Sequence, residues 1–428
     1  MERRSNIALR FALSVLIAGS LYFIIRSVSL ALELERALAF ADQWVFVVHD
    51  YFRYLDGQYH WTELFAHHNE HRIGTTRIVL FADAVLFNMQ GWLPLLTQYL
   101  NLAGIAAMIA RLATTKDDNF FVVLVPALAL TWSISQFNNF SWAFQPSFSF
   151  VHLFAIAAIV SLSRALDAER WWPWLIAACG FDLLAANSLA SGLLVIAPAI
   201  CVSVWMRRVD RRLLIFCAAH LIISAWYFVG YVPHPYNAYG IPSLNRAWEM
   251  IANFIGMDFG GWYYLEISAG ELSIIAFVLT AAAITWLSLV RKKGIDANSA
   301  ALLSIAVFVF IEAVTVAFAR EGYDLGPRYA TMSVVFQCGL LGFYWRQSAS
   351  LSSATIVRGA IIAVATIVLI EANTLRWESA WRDHIANIDK ATDEFSKGIY
   401  SKATADYIFL GLSEVWVSRY RALHLAPF

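Results

Sequence analysis

SAALLSIAVFVFIEAVTVAF, residues 299–318, is a run of twenty residues with one ionisable side chain, Glu312, preceded by Arg291, Lys292 and Lys293 and followed by Arg320. At 1.5 Å of rise per residue, about 20 apolar residues are what an α-helix needs to cross the hydrocarbon core of a bilayer. The stretch therefore reads as a membrane span. Working outward by the same rule, the chain predicts further spans at about 7–32, 93–112, 120–136, 148–163, 172–187, 190–206, 213–231, 272–290, 329–345 and 359–374, about eleven in all. The expected fold class is an all-α, polytopic transmembrane helical bundle.

Composition agrees with that reading. Of 428 residues, 60% are hydrophobic and only 14% charged, with a mean hydropathy of +0.59; soluble domains carry about a quarter charged residues. Lys+Arg and Asp+Glu are both 31, so net charge points to no nucleic-acid partner. Cys179, Cys201, Cys217 and Cys338 all fall inside apolar runs without close spacing, which argues against a disulfide framework or a thiolate zinc site. The run from Ile7 to about Leu32 follows Arg3 and Arg4 and shows no small-residue cleavage site, so it reads as a retained anchor.

Charge placement carries the topology. Arg3, Arg4 and Arg10; Arg111 and Lys116; Arg164 and Arg170; Arg207, Arg208, Arg211 and Arg212; Arg291, Lys292 and Lys293; and Arg346 and Arg358 occupy every second connection. By the positive-inside rule, this puts the amino terminus in the cytoplasm and the carboxyl terminus in the periplasm of a multi-pass bacterial inner-membrane protein. The other connections, about 33–92, 137–147, 188–190, 232–271 and 319–328, are rich in Trp, Tyr, His and Asn. The pair at 172–206 is interrupted by Asp182, Asn187, Ser188 and Ser191 and reads either as two crossings or as one broken, re-entrant helix. Residues 1–372 form the expected membrane domain, with interfacial helices in the 33–92 loop. Residues 373–428 form a periplasmic tail of short amphipathic helices, marked by Trp377, Trp381, Ile385 and Ile388 and then Tyr407, Leu410, Leu412 and Trp416 at helical spacing.

The outward connections hold the candidate chemistry. If 42–53 is helical, Asp42, Phe46, His49 and Arg53 share a face; Asp42 suits either a helix cap or a general base at the membrane surface. Further on, Ala66-His67-His68-Asn69-Glu70-His71-Arg72, with Arg77 beyond, is the densest polar cluster. On a helix, His67, Glu70 and His71 lie together, suited to a divalent ion, a phosphate or sugar hydroxyls. They also match H-x-x-E-H, the zinc pattern of inverted zincins, though no third ligand is evident. Trp142 and Gln145 suit the faces and hydroxyl edges of a sugar ring. Arg320, Arg328 and Tyr329 stand on the outward side against the charge bias, where arginine suits phosphate oxygens. Asp182, His152, His220 and Glu312 are ionisable groups inside spans, the usual marks of cavities or proton paths.

The outward acid in Ala41-Asp42-Gln43-Trp44, the HHNEHR segment, WAFQ at 142–145, ASGL at 190–193 and GPRY at 326–329 together resemble the GT-C class of membrane glycosyltransferases and a largely uncharacterised bacterial branch related to it. The resemblance covers most of the spans, though only the loop after the first span is motif-like. It implies an inverting transfer from a polyprenyl-phosphate-linked sugar to a glycan or lipid acceptor of the cell envelope, with Asp42 as general base and Glu70 as a second catalytic acid. His67, His68, Asn69, His71, Arg72, Arg77, Trp142, Gln145, Arg320, Arg328 and Tyr329 would bind substrate. Where many relatives carry two adjacent acids, Gln43 follows Asp42 here. A second carboxylate, and any divalent cation, would depend on Asp50, Asp56 or Glu70. A flippase or transporter of lipid-linked saccharide, with Asp182, His220 and Glu312 lining the path, and a zinc hydrolase using His67, Glu70 and His71 are the alternative readings.

Overall fold

Away from water a segment must satisfy its own backbone N–H and C=O groups, and runs rich in Ala and Leu do so as α-helices. The computed structural model describes residues 2–116, 118–232, 242–259, 263–319, 326–351 and 353–428, with side chains from residue 7 onward except at 263. Among these residues the regular structure is helical apart from one two-stranded hairpin.

Seven of the described helices are long and apolar enough to cross a membrane: Ile7–Leu34, Trp92–Ala113, Phe120–Ser141, Pro146–Asp167, Tyr264–Leu289, Ala297–Ala319 and the apolar part of Ala354–Ser396. Trp172–Ala186 and Ala190–Trp205 are shorter apolar helices, and Arg211–Tyr227 and Ala330–Ser348 occupy two further expected segments. The helix expected from about 272 begins nine residues earlier, at Tyr263. The one expected over 120–136 ends at Thr131 and continues as a 3-10 turn, Ile134–Gln136, and a short helix, Phe137–Ser141.

Arginines draw the basic connections together at one end of the bundle. Arg212 donates to the Ala165 carbonyl at 2.8 Å, Arg207 to the Lys292 carbonyl, and Arg346 to the carbonyls of Leu112 and Thr114 at 3.1 and 3.2 Å. Arg346 also pairs with Asp296, and Arg358 with Asp118 at 2.8 Å. The carbonyls left open at helix C-termini are natural acceptors for such cations.

The aromatic-rich connections meet at the opposite end. Thr75 N–H donates to the Asn187 carbonyl, Ser135 N–H to the Ala372 carbonyl, and Asn139 Nδ2 to the Arg328 carbonyl. The 172–205 region is resolved by these ties. Arg212 holds the connection before Trp172 at the basic end, and Thr75 holds Asn187 at the other. The Trp205 carbonyl is back at the basic end, accepting from Ile295 N–H. The region therefore runs out and back as two helices. Gly192 permits the tight return, since a Cβ there would lie 2.3 Å from the Ala185 carbonyl.

Helix association in lipid relies on close packing rather than on water exclusion. The helix Ala330–Ser348 meets its neighbours through small residues: a Cβ on Gly342 would already stand 3.3 Å from Ile109 and 3.4 Å from Ala113.

The connection after the first long helix differs from expectation in two places. Residues 43–55 are helical, but Phe46–Tyr51 is a π-turn, which advances the phase by one residue. Phe46 turns into the core, His49 out to solvent, and Arg53 to Glu63, so the four-residue face expected from Asp42 does not form. The HHNEHR segment is a hairpin rather than a helix, its strands His67–His68 and His71–Arg72 joined through Asn69 at φ +53°. His67 is paired with Arg72 and His68 with His71.

The carboxyl-terminal tail forms the helices Leu375–Ser396, Lys402–Ile408 and Glu414–Ala422. Trp377, Trp381, Ile385 and Ile388 are buried as their spacing predicts, but the face expected from Tyr407, Leu410, Leu412 and Trp416 does not form: the helix ends at Ile408, Tyr407 and Leu410 are exposed, and of the four only Leu412 is buried. Ion pairs fasten the tail to the start of the chain: Arg36 with Asp389, Arg382 with Glu33, Arg26 with Glu378, and Arg419 with Asp56.

Under this layer Glu35 and Asp83 both approach Gly91. Asp83 accepts from Gly91 N–H at 3.0 Å and from Leu93 N–H at 3.3 Å. Gly91, at φ +82°, leaves room that a Cβ, 2.5 Å from Glu35 Oε1, would take. Burial, and then the charge of Asp83, push the Glu35 carboxyl up to about 7. A carboxyl whose folded pKa is raised keeps its proton longer in the folded state, so stability falls as pH rises from the unfolded value near 4.5 through 7. The loss is about 3 kcal/mol for such a shift. Thermal unfolding of the solubilised protein should show this decline between pH 5 and pH 8, and Glu35→Gln should flatten it; a profile that the substitution leaves unchanged would contradict the assignment.

Candidate functional site

At the end opposite the basic connections an open cavity of about 650 Å³ is lined by Glu70, His71, Phe148, Ser191, Glu312 and Tyr329, among others. Glu312, Thr315, Val316 and Ala319 supply one wall, and their i, i+3, i+4, i+7 spacing is one face of the helix Ala297–Ala319. Ser191 and Leu194 come from the 3-10 turn that the Gly192 contact positions. The hairpin supplies Glu70 and His71. It is fixed from two sides: Tyr227 Oη donates to the Glu70 carbonyl, and Ala190 N–H donates to His71 Nδ1 at 3.3 Å. With Nδ1 accepting, the ring proton of a neutral His71 lies on Nε2, which faces Glu70 Oε1 at 3.3 Å.

The hairpin also connects this cavity to Asp42. His68, buried on the first strand, places Nε2 4.0 Å from Asp42 Oδ2, while Asp42 keeps 44% of its side chain exposed. Asp42 precedes the helix beginning at Gln43, but its side chain makes no capping hydrogen bond. The His68 ring packs on Phe144, which stacks with Trp142, which in turn meets Phe40 edge-on. Asn69 stands exposed at the hairpin tip. Beyond the cavity, Arg328 lies over the ring of its neighbour Tyr329 at 5.0 Å, and no carboxylate among the described residues pairs with it. Arg320 lies outside the described residues.

The structure thus gathers Glu70, His71 and Tyr329 in one cavity, with Arg328 beside it and Asp42 and His68 at the other strand of the hairpin. It does not bring in the remaining expected residues as ligand groups. Arg72 spends its donors on the carbonyls of Phe65, Trp226, Tyr227 and Val229 and lies over the Trp226 ring at 4.4 Å. It clamps the hairpin to the helix Arg211–Tyr227. Arg77 is buried, paired with Asp50 at 3.2 Å and bonded to the carbonyls of Leu64 and Ala66. Burial pushes the Asp50 carboxyl up, against the pull of Arg77. His67 packs against Tyr227 and Tyr231, and burial lowers its pKa, with the charge of Arg72 adding to the effect. Trp142 and Gln145 are buried in the wall behind His68.

A metal does not fit this donor set. His67 and His71 sit at non-partnered positions of the hairpin, so the helical arrangement that H-x-x-E-H requires is absent. The carboxylates expected to join Asp42 are committed elsewhere: Asp50 to Arg77, Asp56 to Arg419 and Glu70 to His71. Among the described residues no group of three or more His, Cys, Asp or Glu side chains is placed to hold an ion.

The ionisable groups inside the helices, scattered one per helix in the sequence, form two buried pairs. His152 Nε2 is 2.9 Å from Glu312 Oε2, and His220 Nδ1 is 2.9 Å from Asp182 Oδ2. At 1.5 Å per residue, His152, Asp182, His220 and Glu312 all lie within about 10 Å of the same end of the bundle. Glu312 is the cavity residue that the expected site lacked.

No family model, curated protein or solved structure matches the chain. The functional reading therefore rests on the geometry and on the residues that suggested it.

Breaking a buried ion pair leaves an uncompensated charge and costs roughly 3–5 kcal/mol. Arg77→Met should accordingly lower the melting temperature sharply, and the double variant Asp50→Leu/Arg77→Met should recover most of the loss. An Arg77→Met protein that melts like the parent would show that the pair does not hold the loop.

Proposed function

We propose that the chain is a membrane glycosyltransferase, with about eleven spans, a cytoplasmic amino terminus and a periplasmic carboxyl terminus in the bacterial plasma membrane. It takes a sugar from a polyprenyl-phosphate donor and passes it to a glycan or lipid acceptor of the cell envelope on the outward side. The observation that carries this reading is the hairpin, whose His68 reaches to within 4.0 Å of Asp42 and whose turn and second strand give Glu70 and His71 to the cavity wall. Arg328 and Tyr329 stand at that same end.

In this scheme Asp42 removes the proton from the acceptor hydroxyl, as a half-exposed carboxylate beside an imidazole is suited to do. The acceptor oxygen attacks the anomeric carbon from the face opposite the phosphate. The bond from that carbon to the phosphate oxygen breaks, the anomeric configuration inverts, and polyprenyl phosphate leaves with the electron pair. Arg328 offsets the charge that grows on the departing phosphate. Tyr329 and Phe148 give the sugar ring apolar faces.

The test is transfer of labelled sugar from a short-chain polyprenyl-phosphate sugar by purified protein. Asp42→Asn should lower turnover by roughly 10²- to 10⁴-fold, the usual contribution of a general base, while Arg328→Gln should weaken use of the donor. A folded Asp42→Asn protein with full turnover would remove Asp42 from the mechanism.

A further inference from the structure

The wall of the cavity carries more acceptors than donors. Glu70 and Glu312 bring two carboxylates to it, and no Lys or Arg lines it among the described residues. His71 does not offset them. Its Nδ1 accepts the Ala190 N–H, so the ring holds a single proton, on the Nε2 that faces Glu70. His152 stands behind the wall with Nδ1 2.7 Å from the Phe148 carbonyl, which can only accept, so that nitrogen is the donor. With His152 neutral, Glu70 and Glu312 give the wall two negative charges; a proton on either member of the His152–Glu312 pair leaves one. The cavity is anionic in both states.

The hydrogen bonds that the chain makes leave the same surplus. Glu312 is only 1% exposed, and its Oε2 is buried without a hydrogen-bond partner, as is His152 Nε2 at 2.9 Å from it. The Ser191 hydroxyl oxygen, buried at the wall, has no partner either. Thr315 spends its proton on the Ile311 carbonyl. Buried acceptors without donors are costly, so the complement to this wall is a group with several N–H donors and a positive charge. A primary ammonium supplies both in a compact form. Phe148 and Tyr329 meet edge to face beside it, their ring centres 5.6 Å apart, and aromatic faces attract such cations away from water. The wall includes Ala319, the last residue of the helix Ala297–Ala319, so the cavity lies at the level that lipid headgroups reach.

We propose that this cavity is the subsite for a protonated primary amine on a lipid headgroup, held by the carboxylates of Glu70 and Glu312 with the Ser191 hydroxyl beside them. An amino-sugar on a polyprenyl phosphate and the ethanolamine of a phospholipid present the same group at the same depth. Where the amine belongs to the sugar, the proposal rests on the transferase reading and names the class of sugar transferred.

The test measures binding without turnover, using the full chain in nanodiscs of phosphatidylcholine. Two pairs of probes are compared: a short polyprenyl phosphate bearing an amino-hexose or its N-acetylated form, and a short-chain phosphatidylethanolamine or its N-acetylated form. In at least one pair the free amine should bind roughly ten- to a hundredfold more tightly, the range for a hydrogen bond to a charged group. Glu312→Gln should remove most of that preference. Thr315→Lys, at an exposed position of the same wall, should abolish it where Thr315→Gln retains it, which keeps the test open if Glu312→Gln does not fold. No preference for the amine in either pair, or a preference that survives Glu312→Gln or Thr315→Lys unchanged, would overturn the proposal. Preference within the sugar pair assigns the amine to the polyprenyl lipid, and preference within the phospholipid pair alone assigns it to the bilayer. A parent protein that prefers the amino-hexose lipid yet transfers no sugar from it would leave the subsite standing and remove the transferase reading instead.

Discussion

Hydrocarbon tolerates a charged side chain only where it is neutralised or lifted out to the interface, and the architecture follows from how this chain meets that demand. The basic clusters of every second connection gather at one end, where arginines cap the open carbonyls of neighbouring helices and tie successive connections to one another. With that end occupied by cations in every second connection, the intervening connections are left to the other end. There the first loop, the 187–190 turn, the 326–329 segment and the tail meet. The candidate site lies where the connections without basic clusters meet.

Within the layer opposite the basic connections the same demand fixes the fine structure. Arg72 and Arg77 are buried in a region where nothing but carbonyls and Asp50 can satisfy them. By doing so they hold a hairpin too short to be stable alone. That hairpin is the hinge of the functional argument, since it faces Asp42 on one strand and the cavity on the other. The tail reinforces it at a distance, through Arg419 to Asp56 and through Trp381 packed against Phe137 and Phe140.

Much of the scaffold was legible in the residues because helix placement depends on local composition. Each stretch that reads as apolar over some twenty residues contains a helix, and the first tail helix buries Trp377 and Trp381, which its helical spacing singles out. What was not legible depended on contacts between distant segments. HHNEHR has no period long enough to separate helix from strand, and only Asn69 in a left-handed conformation betrays the turn. The π-turn at Phe46–Tyr51 has no compositional mark. Arg72 and Arg77 look like phosphate ligands until the carbonyls of the helix Arg211–Tyr227 and the neighbouring loop are brought beside them. His152 and Glu312 stand 160 positions apart and become a pair only when their helices pack; their burial inside apolar runs was the available hint.

The central claim is that the hairpin and the 326–329 segment share one side of the membrane, opposite the basic connections. Single cysteines introduced at Asn69, Gly326, Arg208 and Ser350, in a chain whose four native cysteines are replaced by alanine, test it with a membrane-impermeant thiol reagent applied to intact cells. Positions 69 and 326 should react from outside, and positions 208 and 350 only after the membrane is permeabilised. Reaction of 69 and 326 from opposite sides would place the hairpin and Arg328 on different faces, and no common site could then exist.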